Sequence, residues 1–182
     1  KEVISSISDS KSKVFIELGA GHGRVMDLLS KIAHKVIMIE LNPNMFDELC
    51  RRASQYNNVS VLNEDMQKLS NLKINATPVI LLLQNTLGTI EGDYKKVLSA
   101  MKSFANKNNS EIVLSLFRQP TLKTFGIDAY SSISDMTGMP DLSKTNFESG
   151  LFVSTTNYVS KWWTDKEISE FNKKQKNIEN DF

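Results

Sequence analysis

Three glycines at alternate positions follow a short apolar run near the start of the chain. The run is Val14–Leu18, and the glycines are Gly19, Gly21 and Gly23. Glycine lets a backbone turn sharply and lets a ligand lie directly against the main chain. The apolar spacing that follows predicts a helix, whose first turn has free N–H groups. A strand, a glycine loop and a helix in this order predict a ligand-binding loop at the carboxyl end of the strand.

The spacing of these glycines separates two classes of ligand. Dinucleotide binders use Gly-x-Gly-x-x-Gly, which would need a third glycine where this chain has Arg24. The chain instead has Gly-x-Gly-x-Gly, with the acid Glu17 two residues before the first glycine. This pattern resembles motif I of the class I, Rossmann-like S-adenosylmethionine-dependent methyltransferases. A nicotinamide oxidoreductase is the disfavoured alternative.

Two acids lie where that family has acids. Glu40 ends the second predicted strand, where a carboxylate can accept hydrogen bonds from a ribose diol. The run Asn-Glu-Asp-Met at 63–66 follows the third predicted strand. In the family an acid here accepts a hydrogen bond from the adenine amino group, and Asp65 with Met66 fits best, with Glu64 as the alternative. Asp65 is also suited to cap the short helix after it, which would not prevent contact with adenine.

The end of the fourth predicted strand carries Gln84, Asn85 and Thr86. In the family the methionine end of the cofactor and the methyl acceptor meet at this place. Asn85 and Thr86 are therefore the candidates for touching the acceptor, and hydrogen bonding within the loop is the alternative. Enzymes that methylate amino groups of adenine, cytosine or glutamine carry Asn/Asp-Pro-Pro-aromatic here. This chain lacks that motif, which lowers the odds for those acceptors. The sequence at 84–90 looks more like the corresponding segment of small-molecule methyltransferases.

The resemblance covers roughly 14–117 and implies S-adenosyl-L-methionine as the cofactor, with no metal. It implies the following cofactor-binding residues: Glu17, Gly19, Ala20, Gly21, Gly23, Glu40, Leu41, Asp65, Met66 and Gln84. A small-molecule acceptor is the leading hypothesis. A catalytically silent cofactor-binding module and methylation of RNA or protein are the alternatives. A basic face built from four cations would favour a macromolecular acceptor: Arg118, Lys123, Lys144 and Lys161.

The elements that must position these residues alternate between strand and helix. Five strands are predicted, at 14–18, 35–39, 59–62, 79–83 and 111–117. Because helix-sized connections separate them, we expect parallel pairing with right-handed crossovers. The fold class is α/β, a doubly wound, mostly parallel sheet with helices on both faces.

The part after the fifth strand has a weaker pattern. Residues 118–149 are expected to close the acceptor pocket, and 151–160 are β-rich. The family's sheet usually ends with two further antiparallel strands, but in this chain only 151–160 is β-rich. The sheet is therefore expected to be incomplete at its C-terminal edge. An uncovered edge strand would favour a homodimer. Thr164 and Glu167 predict a capping box that begins a last helix.

Length and composition limit the number of domains, the kinds of partner and the cellular location that we expect. The 182 residues suit a single domain over 1–182, with 14–117 as cofactor-binding core and 118–182 on the acceptor side. The formal net charge of +1 lacks the basic excess typical of nucleic-acid binders. The single cysteine fits a reducing compartment, and no apolar run reaches the roughly 20 residues of a membrane span. We therefore expect a cytoplasmic protein without a membrane partner.

Overall fold

A computed structural model describes residues 2–176, which form two compact units. The sheet unit contains the described residues up to Leu83 together with Gly92–Leu114. The hairpin unit contains Gln84–Glu91 and the described residues from Ser115 onward. No helix in this part of the chain is both long and apolar enough to cross a membrane. The single-domain organisation expected from the sequence stays a prediction.

The sheet unit is built on five parallel strands in the order β3-β2-β1-β4-β5. The strands are β1 Val14–Leu18, β2 Lys35–Ile39, β3 Val59–Leu62, β4 Pro78–Leu82 and β5 Glu111–Leu114. The helices of this unit are α1 Glu2–Ser5, α2 Met26–Ile32, α3 Pro43–Ala53 and α4 Tyr94–Asn108. The α/β class and the parallel sheet are confirmed, and the first three strands have the predicted bounds.

The order of the strands reverses between β1 and β4, which is the topological switch point where open α/β sheets bind ligands. Strands β1 and β4 are buried along their whole length, because apolar side chains cover both faces of the sheet. The helix α3 begins with Pro43 in its first turn. The Asn42 side chain accepts hydrogen bonds from two backbone N–H groups of that turn.

The hairpin unit has shorter elements. Its regular elements are α5 Ile127–Ser131, α6 Ser134–Thr137, β6 Leu151–Val153, β7 Val159–Lys161 and α7 Asp165–Lys176. The predicted β-rich stretch thus forms two antiparallel strands, which pair as a sheet of their own. The predicted capping box at the start of α7 is confirmed by reciprocal hydrogen bonds between its threonine and glutamate.

Two predicted strand ends need correction. Strand β4 ends at Leu82, and Gln84 and Asn85 then have left-handed φ angles of 55° and 61°, which no strand can continue. Strand β5 ends at Leu114 instead of 117. Beyond it, the Ser115 carbonyl accepts a hydrogen bond from the Asn85 N–H, so the chain leaves the ladder of the sheet there.

Candidate functional site

The glycine loop follows β1 and turns through left-handed backbone angles. The φ angles of Gly19, Gly21 and Gly23 are 65°, 54° and 71°. The loop is fixed at two points: the Ala20 N–H donates to the Ile39 carbonyl at 3.0 Å, and the Gly23 N–H donates to the Ala20 carbonyl at 2.8 Å. Residues with a side chain rarely adopt these angles, which explains why glycine stands at all three positions.

Two of these glycines have different surroundings. A Cβ atom at Gly23 would lie 2.6 Å from Leu49 Cδ1 and 2.8 Å from Met26 Cε. This glycine therefore permits close packing of the loop against α2 and α3. A Cβ atom at Gly21 would meet nothing within 4 Å. The middle glycine thus borders open space, where a ligand can approach the backbone.

Glu40 stands at the end of β2 with its carboxylate turned to the glycine loop. Its Oε2 accepts a hydrogen bond from the Gly21 N–H at 2.7 Å, and its Oε1 accepts one from the Asn42 N–H at 2.8 Å. The residue is 8% exposed. The structure thus brings the predicted ribose-binding acid into direct contact with the predicted cofactor loop.

Glu17 lies in the middle of the sheet, paired in register with Met38 and Leu81. It is buried, and among the described residues no donor reaches its Oε2. Burial raises the pKa of this carboxyl to about 8, an effect that nearby Arg24 partly offsets and nearby Glu40 increases. A buried carboxyl oxygen without a hydrogen-bond partner is costly, so this atom is a candidate to contact a polar group of a ligand.

A cavity of ≈ 170 Å³ opens at the carboxyl ends of β2 and β3. It is lined by Ile39, Leu62, Asn63, Glu64, Asp65, Lys68, Leu69, Asn71 and Leu72. Asp65 Oδ1 accepts the Gln67 N–H at 2.8 Å, so this residue caps the following 3-10 turn, Met66–Asn71. Glu64 pairs with Lys68 at 2.9 Å, and this hydrogen bond lowers the pKa of its carboxyl.

Asn63 was not assigned a role from the sequence. Its Nδ2 donates to the Glu40 carbonyl at 2.8 Å and to the Leu41 carbonyl at 3.0 Å. Leu41 itself is 60% exposed and offers an apolar side chain beside Glu40. The only sequence signal for Asn63 was its place directly after a strand, which does not specify a partner.

The glycine loop contains a histidine, His22, that contacts a glutamate of α3. His22 Nδ1 lies 3.0 Å from Glu48 Oε2, and its backbone carbonyl accepts a hydrogen bond from Arg52. Both partners belong to α3, so these contacts connect the glycine loop to that helix. Within the described range, no cluster of three or more His, Cys, Asp or Glu side chains is arranged to hold a metal ion.

Asn85, a predicted acceptor contact, is 1% exposed and forms four side-chain hydrogen bonds within the hairpin unit. Its Nδ2 donates to Ser160 Oγ at 3.2 Å and to the Lys161 carbonyl at 2.9 Å. Its Oδ1 accepts from the Phe117 N–H at 3.1 Å and from Trp163 Nε1 at 2.9 Å. These bonds use both donors and both acceptor positions of the amide, as the alternative of hydrogen bonding within the loop predicts. Contact of Asn85 with the acceptor stays a prediction.

The neighbours of Asn85 belong to the hairpin unit as well. Gln84 is exposed, and Thr86 begins a 3-10 turn, Thr86–Thr89. Their roles toward cofactor and acceptor stay predictions. The aromatic side chains Tyr130 and Trp162 are buried in the core of this unit with Phe152.

A family model described as a methyltransferase domain matches residues 15–108. Among curated relatives, an rRNA adenine N-6-methyltransferase of Bacillus licheniformis is 30% identical over 69 residues, which is 38% of this chain and 24% of that protein. Ribosomal RNA small subunit methyltransferase A of Thermotoga maritima is 26% identical over 131 residues, 69% of this chain and 44% of that protein. The chain thus spans less than half the length of these two relatives.

Solved structures share the fold at low sequence identity. A S-adenosylmethionine-dependent methyltransferase from Clostridium acetobutylicum aligns over 94% of this chain and 76% of its own, with a TM-score of 0.61 and 15% identity. A SAM-dependent methyltransferase from Aquifex aeolicus aligns over 65% of this chain and 63% of its own, with a TM-score of 0.53 and 16% identity. These likenesses place the sheet unit in the Rossmann-like fold expected from the sequence.

Proposed function

Because the chain belongs to the methyltransferase-domain family, we propose that it binds S-adenosylmethionine at the carboxyl ends of β1, β2 and β3 and transfers its methyl group to an acceptor. The observation that carries this proposal is the Glu40 carboxylate, which accepts one backbone N–H on each oxygen. A carboxylate oxygen can accept two hydrogen bonds. Each oxygen therefore keeps one acceptor position, which suits the two hydroxyls of a ribose diol.

Three further features support the same ligand. The cavity after β3 has apolar walls from strand ends and an acid, Asp65, at its rim, a combination that suits a purine with an exocyclic amino group. The open space at Gly21 leaves room for a ligand against the backbone. The buried Oε2 of Glu17, which meets no donor among the described residues, is available to a polar group of this cofactor.

When bound, S-adenosylmethionine supplies an electrophilic methyl group on a sulfonium. The residues of this chain then bind the nucleoside and orient the methyl group, since an in-line displacement depends chiefly on alignment and exclusion of water. No residue of this chain is proposed as a general base.

A small molecule is the acceptor that we propose. Three of the four cations that would have built a basic face are paired with acids of the same unit. Arg118 holds Asp165 through both carboxylate oxygens, Lys161 pairs with Glu167 at 3.2 Å, and Lys144 pairs with Asp141 at 3.4 Å. A phosphate backbone is bound through free cations, so this pairing favours an acceptor without such a backbone.

RNA is the second candidate, and the names of the curated relatives favour it. Both relatives described above are rRNA methyltransferases. Against it stands the sequence Gln84-Asn85-Thr86, which differs from the Asn/Asp-Pro-Pro-aromatic motif of enzymes that methylate adenine. Methyl transfer to RNA and to small molecules therefore have to be compared in one assay.

The cofactor assignment is tested by calorimetric titration with S-adenosylmethionine, S-adenosylhomocysteine and NAD. We expect the first two to bind and NAD not to bind. Glu40→Ala should weaken the binding of S-adenosylmethionine by roughly tenfold or more, because charge-assisted hydrogen bonds to the ribose are lost. The exposed Glu91 provides a control, since Glu91→Ala removes the same charge elsewhere. An unchanged affinity of Glu40→Ala would refute the ribose assignment.

The acceptor is tested with methyl-labelled S-adenosylmethionine and three separated fractions of a cell extract: small metabolites, RNA and protein. We expect label in the metabolite fraction, with a rate that changes little with salt. Label in RNA, at a rate that falls steeply with salt, would overturn the small-molecule proposal in favour of the second candidate.

A further inference from the structure

Asn63 connects the ends of two neighbouring strands through its side chain. It follows β3 directly, and its Nδ2 donates to the carbonyls of Glu40 and Leu41, at 2.8 Å and 3.0 Å. An amide nitrogen has two hydrogens, so both of its donors are used in these bonds. The Asn63 side chain thus continues the pairing of β2 and β3 beyond the last residues of their ladder.

The residue that Asn63 holds is the acid of the candidate site. The Glu40 backbone N–H donates to the Leu62 carbonyl at 3.1 Å, while its carbonyl accepts from Asn63. Its carboxylate accepts from the N–H groups of Gly21 and Asn42. Glu40 is therefore fixed at its backbone on both sides and at both carboxylate oxygens, and Asn63 supplies the only one of these bonds that comes from a side chain.

We propose that Asn63 is a positioning residue for cofactor binding, which keeps the Glu40 carboxylate oriented toward the ribose diol. The inference rests on the proposed function, because it assumes that Glu40 binds the ribose. Asn63 also lines the cavity assigned to adenine, so one side chain connects the two halves of the nucleoside site. A fixed carboxylate binds more tightly than a mobile one, because less conformational freedom is lost on binding.

The test compares two nucleosides that differ only in the diol, adenosine and 2′,3′-dideoxyadenosine. In the unmodified protein, the ratio of their affinities reports the hydrogen bonds between the ribose and Glu40, and we expect roughly tenfold or more in favour of adenosine. In Asn63→Ala this ratio should fall toward one, while the affinity for the dideoxy compound stays unchanged. A general loss of structure would instead weaken both ligands alike.

The chain offers a matched control at the opposite end of β3. Asn58 precedes that strand, and its Nδ2 also donates to two backbone carbonyls, those of Ser30 at 2.9 Å and Ala33 at 3.1 Å. Asn58→Ala therefore removes the same two types of hydrogen bond outside the candidate site. We expect it to lower the stability comparably and to leave the adenosine preference unchanged.

A double-variant cycle tests whether Asn63 acts through Glu40. If it does, adding Asn63→Ala to Glu40→Ala should not lower the adenosine preference further, because the group that Asn63 positions is already absent. Asn63→Asp has nearly the same shape without the two donors, and it should lower the preference as Asn63→Ala does. It serves as the second variant if the alanine variant does not fold.

Three outcomes would overturn the inference. If the unmodified protein prefers adenosine and both Asn63→Ala and Asn63→Asp keep that preference, the role of Asn63 is refuted. The proposed function is not affected by this result. A loss of preference in Asn58→Ala equal to that in Asn63→Ala would also refute the role of Asn63. An unmodified protein that binds neither nucleoside nor S-adenosylmethionine would refute the proposed function, and the inference with it.

Discussion

Replacing Glu17 with glutamine is expected to remove a large pH dependence of stability. The carboxyl is buried in the sheet, and its pKa is raised from 4.5 to about 8. One pKa unit corresponds to about 1.4 kcal/mol, so the shift corresponds to roughly 5 kcal/mol in the free energy of unfolding. This is a large part of the roughly 5–15 kcal/mol by which domains are usually stable.

The direction of the effect follows from where the proton is held. The folded protein keeps the Glu17 proton up to about pH 8, whereas the unfolded chain loses it near pH 4.5. The contribution of this residue to stability is therefore fully present below pH 4.5 and is lost as the pH rises through about 8. Glu17→Gln cannot ionise, so it should resemble the unmodified protein in acid and be more stable at alkaline pH.

The assay is urea unfolding of both proteins without ligand, at a series of pH values from below 4.5 to above 8. The difference between the two free energies of unfolding isolates Glu17 from the other titrating groups. Glu91→Gln, which replaces an exposed carboxyl by an amide, serves as the control. Parallel pH curves for Glu17→Gln and the unmodified protein would refute the burial argument.

Two further substitutions test packing and hydrogen bonding. Gly23→Ala should lower the free energy of unfolding by roughly 1–3 kcal/mol more than Gly92→Ala, since both glycines have positive φ angles but only the first has side-chain atoms within 3 Å of the added Cβ. Equal losses in chemical denaturation would contradict the clash. Asn85→Ala should lower the free energy of unfolding by roughly 3 kcal/mol or more, because a backbone N–H and an indole N–H lose their acceptor in a buried place. A loss of methyl transfer with unchanged stability would contradict this structural role and favour the predicted contact of Asn85 with the acceptor.

The parts of the fold that the sequence predicted are those determined by local pattern. Strands β1, β2 and β3 are short apolar runs next to glycine or capping residues, and they begin and end where predicted. The parts that the sequence did not predict depend on distant partners. Strand β5 ends early because its continuation bonds to the Asn85 segment, and no local signal at 115–117 indicates this.

The same division holds for the candidate site. The glycine loop and Glu40 were identified because their residue types at this spacing have few other uses. Asn63 was missed because its role depends on the carbonyls of Glu40 and Leu41, which lie 23 and 22 positions earlier in the chain. The place of Asn85 after a strand predicts contact with the methyl acceptor, whereas its burial depends on residues up to 78 positions later, which the local sequence does not indicate.

The interleaving of the two units has a consequence for the order of folding during synthesis. The chain leaves the sheet unit after Leu83 and returns to it at Gly92, so the eight residues between them are made long before their partners. The Asn85 side chain meets its first partner 32 positions later and its last one 78 positions later. Contacts this distant in sequence form slowly, so we expect the nascent chain to complete its five-stranded sheet while this segment is still exposed to solvent. If synthesis pauses after Phe117 and before Trp163, we expect the cofactor loop to be assembled while the hairpin unit is still incomplete.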